Sequence, residues 1–68
     1  MEEMVTALQA AWPIGTRVCL IAMDGAEVPA PGTCGTVTGV DDIGQIHVVW
    51  DTGSTLALLD GIDTWERI

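Results

Sequence analysis

At 68 residues the chain is one domain at most, and a hydrophobic content of 49% with mean hydropathy +0.40 gives it the material for a core, which excludes a disordered tail. Ten acidic residues stand against two basic ones, Arg17 and Arg67, for a net charge of −8 with no lysine; without clustered cations to neutralise phosphates, direct nucleic-acid binding is excluded, and anionic membrane surfaces are disfavoured for the same reason. A core this small has few apolar residues left to line a deep ligand cavity, which usually occupies about 300–1,000 Å³.

In chain order, residues 1–12 form a helical segment ahead of a β domain over 13–68. Met4, Leu8 and Trp12 recur at i, i+4 and i+8, with Val5 and Ala11 beside them, so residues 2–11 present one apolar helix face. Glu2 and Glu3 suit the positive end of the helix dipole, and Pro13 and Gly15 stop the helix. A helix this short needs a surface to dock on; a lid over the core is the expected role, with a partner-binding helix as the alternative. The opening "MEEMVTALQAAWP" lacks the basic start and apolar core of a signal peptide, and no apolar run approaches the roughly 20 residues that span a membrane. The expectation is a cytoplasmic protein with reduced thiols. Cys19 and Cys34 fall on neighbouring strands, which leaves a bridge between them open.

From residue 17 the period changes to two. "RVCLIAM" (17–23) sets Val18, Leu20 and Ala22 against Cys19 and Ile21. Pro29, Pro31 and Gly32 make 24–33 an irregular loop. "CGTVTGV" (34–40) alternates, and its Gly35 and Gly39 point to bulges or sharp coiling. After the turn at 41–44, "QIHVVW" (45–50) puts Ile46, Val48 and Trp50 on one face and Gln45, His47 and Val49 on the other. A "DTGS" turn, a strand "TLALL" (55–59), a step at 60–63 and a last strand "TWERI" (64–68) complete the chain. Five short strands without a crossover helix make an antiparallel sheet, and one this small must coil to enclose a core. The fold class is mostly β: a five-stranded antiparallel SH3-like small barrel with a short N-terminal helix.

The Asp51-Thr52-Gly53 triplet reads like the catalytic loop of an aspartic protease. Such enzymes need two aspartates sharing a proton, and hence a dimer when each chain carries one motif. Only 15 residues follow Gly53, too few for both a flap and a brace for the loop. The simpler reading is a hairpin in which Asp51 accepts backbone hydrogen bonds and Gly53 supplies φ > 0. His47, the sole histidine, has no serine, cysteine or lysine paired with it in a recognisable motif. Asp41 and Asp42 are adjacent, without the alternate ligand spacing of a calcium loop. Two cysteines with no CxxC spacing do not make a zinc site, and "GTCGTVTG" lacks the lysine and following helix of a phosphate loop. No catalytic residue, metal or cofactor is expected.

The string from residue 13 to 68 resembles the bacterial and phage family termed domain of unknown function 4314. The elements that carry the likeness are G-x-R-V-x-L, a Pro-Gly-x-x-Gly-Thr-Val stretch, a D-x-x-G turn, a V-x-W-D-x-G hairpin, then L-x-L, G and D. Gly15, Arg17, Val18, Leu20, Pro31, Gly32, Gly35, Thr36, Val37, Asp41, Gly44, Val48, Trp50, Asp51, Gly53, Leu56, Leu58, Gly61 and Asp63 fit in order. A looser likeness reaches the Mind bomb-type repeat of eukaryotic ubiquitin ligases, an SH3-like barrel. The resemblance implies the barrel and a phage or mobile-element setting, and implies no activity.

Two functional expectations follow. The first is a non-enzymatic protein-interaction module, monomeric or weakly homo-oligomeric, binding beside the long loop through aromatic side chains. Trp65 is then the candidate contact, with Asp41 and Asp42 as further partner-binding candidates, while Trp50 points inward by parity with Ile46 and Val48. The alternative is an acidic nucleic-acid mimic that inhibits a host defence enzyme.

Overall fold

Alternation decides the architecture. Val18 and Leu20, then Val37, then Ile46, Val48 and Trp50 lie on one side of their strands, and all six are buried, together with Leu58 and the helix residue Leu8. The computed structural model describes residues 2–68. Among them, α1 (Glu2–Ala11) precedes β1 (Arg17–Ala22), β2 (Cys34–Val40), β3 (Gln45–Trp50), β4 (Leu58–Leu59) and β5 (Thr64–Arg67). The strands form one antiparallel sheet in the order β4-β3-β2-β1-β5. β4 and β5 are its edges and do not pair with each other, so the sheet coils around the core without closing.

The helix packs on β2. Its buried residue is Leu8, and Met4 and Leu8 reach the turn at Gly44. The other end is fixed differently. Trp12 packs against Trp65 of β5, with ring centroids 5.4 Å apart, and the Arg67 guanidinium lies 4.9 Å from the Trp12 ring centre. Arg67 also donates to the Ala11 carbonyl. The helix has no cation in its own last turn, so β5 supplies the positive charge its C-terminal dipole favours. The family likeness read from the sequence began at residue 13, yet the helix is tied into the β domain at both ends.

Two hairpins share one construction. At 50–54, Gly53 N–H donates to the Trp50 carbonyl and Trp50 N–H to the Ser54 carbonyl, both at 2.8 Å; at 41–45, Gly44 and Asp41 make the equivalent pair at 3.0 Å. This is a three-residue loop in which a turn is followed by a left-handed residue, and Gly53 takes φ +94°. A second close fit lies at Gly35: a Cβ there would stand 2.6 Å from Val48 Cγ1 and 3.0 Å from Trp50 Cα. β2 can therefore cross β3 at this point only as bare backbone.

Three expectations are corrected. "TLALL" pairs only at Leu58–Leu59, because Trp50 Nε1–H donates to the Leu56 carbonyl at 2.8 Å and takes that group out of the ladder. The hairpin keeps one register at both ends and bows outward between them. Ala22 is exposed, since a bulge between Leu20 and Ala22 shifts the β1–β5 register. Nor are the thiols reduced: Cys19 and Cys34 are joined by a disulfide, Cα atoms 4.0 Å apart. They face each other across β1 and β2, and the backbone bonds between Thr16 and Val37 and between Leu20 and Thr33 make theirs a non-hydrogen-bonded pair, where side chains approach most closely.

Gly53→Val forces a β-branched residue into the left-handed region and is expected to cost at least about 1–2 kcal/mol; thermal unfolding at the wild-type temperature would contradict the turn assignment. The bridge closes a loop of 15-residue separation. Chemical denaturation of the Cys19→Ser, Cys34→Ser double variant against the oxidised protein is therefore expected to reveal a loss of about 3 kcal/mol on the chain-entropy model.

Candidate functional site

The two cations of the chain are both committed internally. Arg17 NH1 donates to Asp51 Oδ1 at 2.8 Å and to Thr36 Oγ1 at 3.0 Å, and NH2 donates to Asp51 Oδ2 at 2.7 Å. This fork joins β1, β2 and the β3–β4 turn. It holds the Asp51 carboxyl below the usual carboxylate range, through its hydrogen bonds first and its charge second. Asp51 also uses its backbone N–H, which donates to the Cys34 carbonyl at 2.8 Å. The Asp51 carboxylate, expected to accept backbone hydrogen bonds, instead takes them from a guanidinium, and it lies more than half exposed at the corner of the hairpin.

Asp41 organises the other hairpin. Its Oδ1 accepts from Ile43 N–H at 3.1 Å and Gln45 N–H at 2.9 Å, and its Oδ2 lies 2.8 Å from His47 Nε2. The His47 hydrogen bond is the main cause of the depressed pKa of Asp41, with the two backbone donors assisting. Asp42, next to it, is exposed beside Glu2, Val5 and Thr6 of the helix. Trp65 is half-buried against Trp12, and its indole N–H is buried without an acceptor among the described residues. The three partner-binding candidates Trp65, Asp41 and Asp42 therefore do not form one surface: Asp41 and Asp42 sit at the β2–β3 turn and Trp65 at the seam between helix and β5.

A different place has the shape of a site. Between the long β1–β2 loop and the segment leading into β5 lies an open groove of about 410 Å³. One wall is Met23, Asp24, Ala26, Glu27 and Val28; the other is Leu56, Ala57, Leu59, Ile62 and Asp63. Leu56 is 40% exposed and Ile62 75% exposed. Asp63 Oδ2 accepts from Leu59 N–H at 2.8 Å, which fixes the far wall. Glu27, on the loop, has φ +61° and is the one non-glycine residue with positive φ among those described. The groove contains no aromatic ring and no cation. Sequence reasoning located it only as the flank of the long loop and missed its residues. No sequence signal marked them, since Met23 and Leu56 fall in stretches that read as strands and leave the sheet only in the structure.

Among the described residues, no three of His, Cys, Asp and Glu converge to hold a metal ion, and no helix is long and apolar enough to cross a membrane.

The sequence profile of "Domain of unknown function (DUF4314)" matches residues 1–68, the whole chain. The chain belongs to the DUF4314 family. Its helix is part of the family match, which extends the likeness read from residue 13 onward. No curated protein matches the DUF4314 chain in sequence. Two solved structures of the Pif1 helicase from Bacteroides are similar to it over 81% of its length at 27% identity. One is a double mutant (TM-score 0.55), the other is bound to ssDNA (TM-score 0.56), and the matched part makes up 15% and 16% of those chains.

The depressed pKa of Asp51 fixes a sign. Its ionised form is favoured in the folded state, so the contribution is complete above the unfolded carboxyl pKa and is lost as pH falls through the lower, folded value. Asp51→Asn is expected to lower the melting temperature near neutrality and to flatten its decline between about pH 5 and pH 2; melting curves across that range check both parts.

Proposed function

We propose that this DUF4314 domain is a non-enzymatic protein-interaction module of SH3-like type, encoded by a phage or other mobile element and working in the bacterial cytoplasm as a monomer or weak homo-oligomer. The observation that carries the reading is the groove beside the long loop, with Leu56 and Ile62 exposed on one wall and no chemistry-bearing cluster within it. The strand order, the long loop after β1 and the short step before β5 support the SH3-like assignment. The carboxylates that drew attention in the sequence support a non-catalytic role: Asp51 is held by Arg17, and the His47 ring meets Asp41 rather than a nucleophile. A reducing cytoplasm would hold the Cys19–Cys34 pair open as two thiols.

The likeness to a helicase structure bound to ssDNA does not bring DNA binding to this chain, because a net charge of −8 repels phosphates. The same charge favours a second reading, an acidic mimic of nucleic acid that inhibits a host defence enzyme. Capture from a bacterial lysate separates the two. For a module, salt weakens binding of the recovered partner only modestly, and the partner is lost with Leu56→Ser, Ile62→Ser. A nuclease as main partner, released by moderate salt and displaced by DNA, would replace the module with the mimic. The purified domain is also expected to leave peptide substrates uncleaved at acid pH; turnover abolished by Asp51→Asn would overturn the non-enzymatic assignment.

A further inference from the structure

We propose that the occupant of the groove is an extended, basic segment of a partner protein, in which aliphatic residues alternate with arginine or lysine. This rests on the module reading above and adds the chemistry of the ligand. Three observations carry it. One wall of the groove carries exposed aliphatic side chains, Ile62 at 75% and Leu56 at 40%, so a ligand gains by covering them. Its rim is acidic on both sides, Asp24 and Glu27 on the loop and Asp63 opposite. Finally, neither arginine neutralises that rim: Arg17 is held by Asp51 and Thr36, and Arg67 lies over Trp12 and on the Ala11 carbonyl.

These facts select among peptides. A neutral segment laid on Leu56 and Ile62 would replace the water on the rim carboxylates with weaker, uncharged hydrogen bonds, and an acidic one would add like-charge repulsion. A basic segment replaces the lost water with charge-assisted hydrogen bonds. A proline-rich helix is recognised through aromatic-lined grooves, and all three tryptophans lie elsewhere, Trp50 in the core and Trp12 and Trp65 at the helix seam. An extended strand suits an open groove, since alternate side chains point to opposite faces; one set covers Leu56 and Ile62 while the other meets the acidic rim.

The test uses the intact, isotopically labelled domain and three synthetic decapeptides: alternating leucine and arginine, alternating leucine and citrulline, and alternating glycine and arginine. The leucine–arginine peptide is expected to move the amide signals of Leu56 and Ile62 and to bind more tightly than the other two. Asp24→Asn with Glu27→Gln should weaken it about fivefold, the scale of two exposed ion pairs. Glu2→Gln with Asp42→Asn removes the same charge beside the helix and should leave binding within about twofold. All four positions are exposed, and the amide spectra of the variants report whether each is folded. Equal weakening by the two double variants would overturn the proposal in favour of diffuse attraction to an acidic protein. Equal binding of the citrulline peptide in the groove would overturn the basic preference and leave the module standing. Failure of all three peptides to move the groove signals would overturn the groove, and with it the module.

Discussion

The burial of Trp50 is the constraint on which the rest of the structure depends. Its side chain is the largest in the core and only 1% of the residue is exposed. Beside it β2 passes as bare backbone at Gly35, where a Cβ would meet Val48 Cγ1, the Val49 carbonyl and Trp50 Cα. The ring also carries one polar atom into an apolar interior, where an unmet N–H is expensive. The Leu56 carbonyl satisfies it. That single bond draws the carbonyl out of the β3–β4 ladder, bows the hairpin, and leaves Leu56 on the outside, where it becomes a wall of the groove. The candidate site is thus a by-product of how a core tryptophan settles its hydrogen bond.

A sequence shows this core but not the site, for a physical reason. Alternation along 17–20, 34–37 and 45–50 is a local property, so the buried faces of β1, β2 and β3 could be read before any contact was known. The helix over 2–11 was equally legible from its apolar face and its proline stop. What failed was set by distant partners. The shortening of "TLALL" depends on an indole six residues away in sequence. Arg17 and Asp51 are both prominent in the sequence, yet their pairing across 34 residues is visible only in three dimensions. The partial cover of Trp65 was equally out of reach, because parity is silent about what lies over an edge strand and it is Trp12 at the helix end that packs there. The groove has no periodicity to read, since apart from Leu59 of β4 its lining comes from irregular segments.

Charge is distributed by the same logic. With ten carboxylates and two guanidiniums, the fold spends its cations at joints: Arg17 where two strands meet a hairpin, Arg67 where the helix ends on β5. The remaining surface is left to anions. Such a surface gives the loop and the β5 approach a shared sign beside an apolar wall.

The strand order has a kinetic consequence. β1 is an interior strand: β2 covers one edge and β5 the other, so residues 17–22 cannot be completed until 64–67 arrive. During synthesis the ladder can grow from β1 through β2 to β3 by neighbouring contacts alone, while the outer edge of Cys19, Leu20 and Ala22 waits unpaired for more than forty residues of chain. Pairings of long sequence separation are slow to form, and an open hydrophobic edge is where strands of other chains can add. The arriving β5 therefore acts as an edge guard as much as a structural member, and the interval before it docks is when a nascent chain of this kind is most open to misassembly.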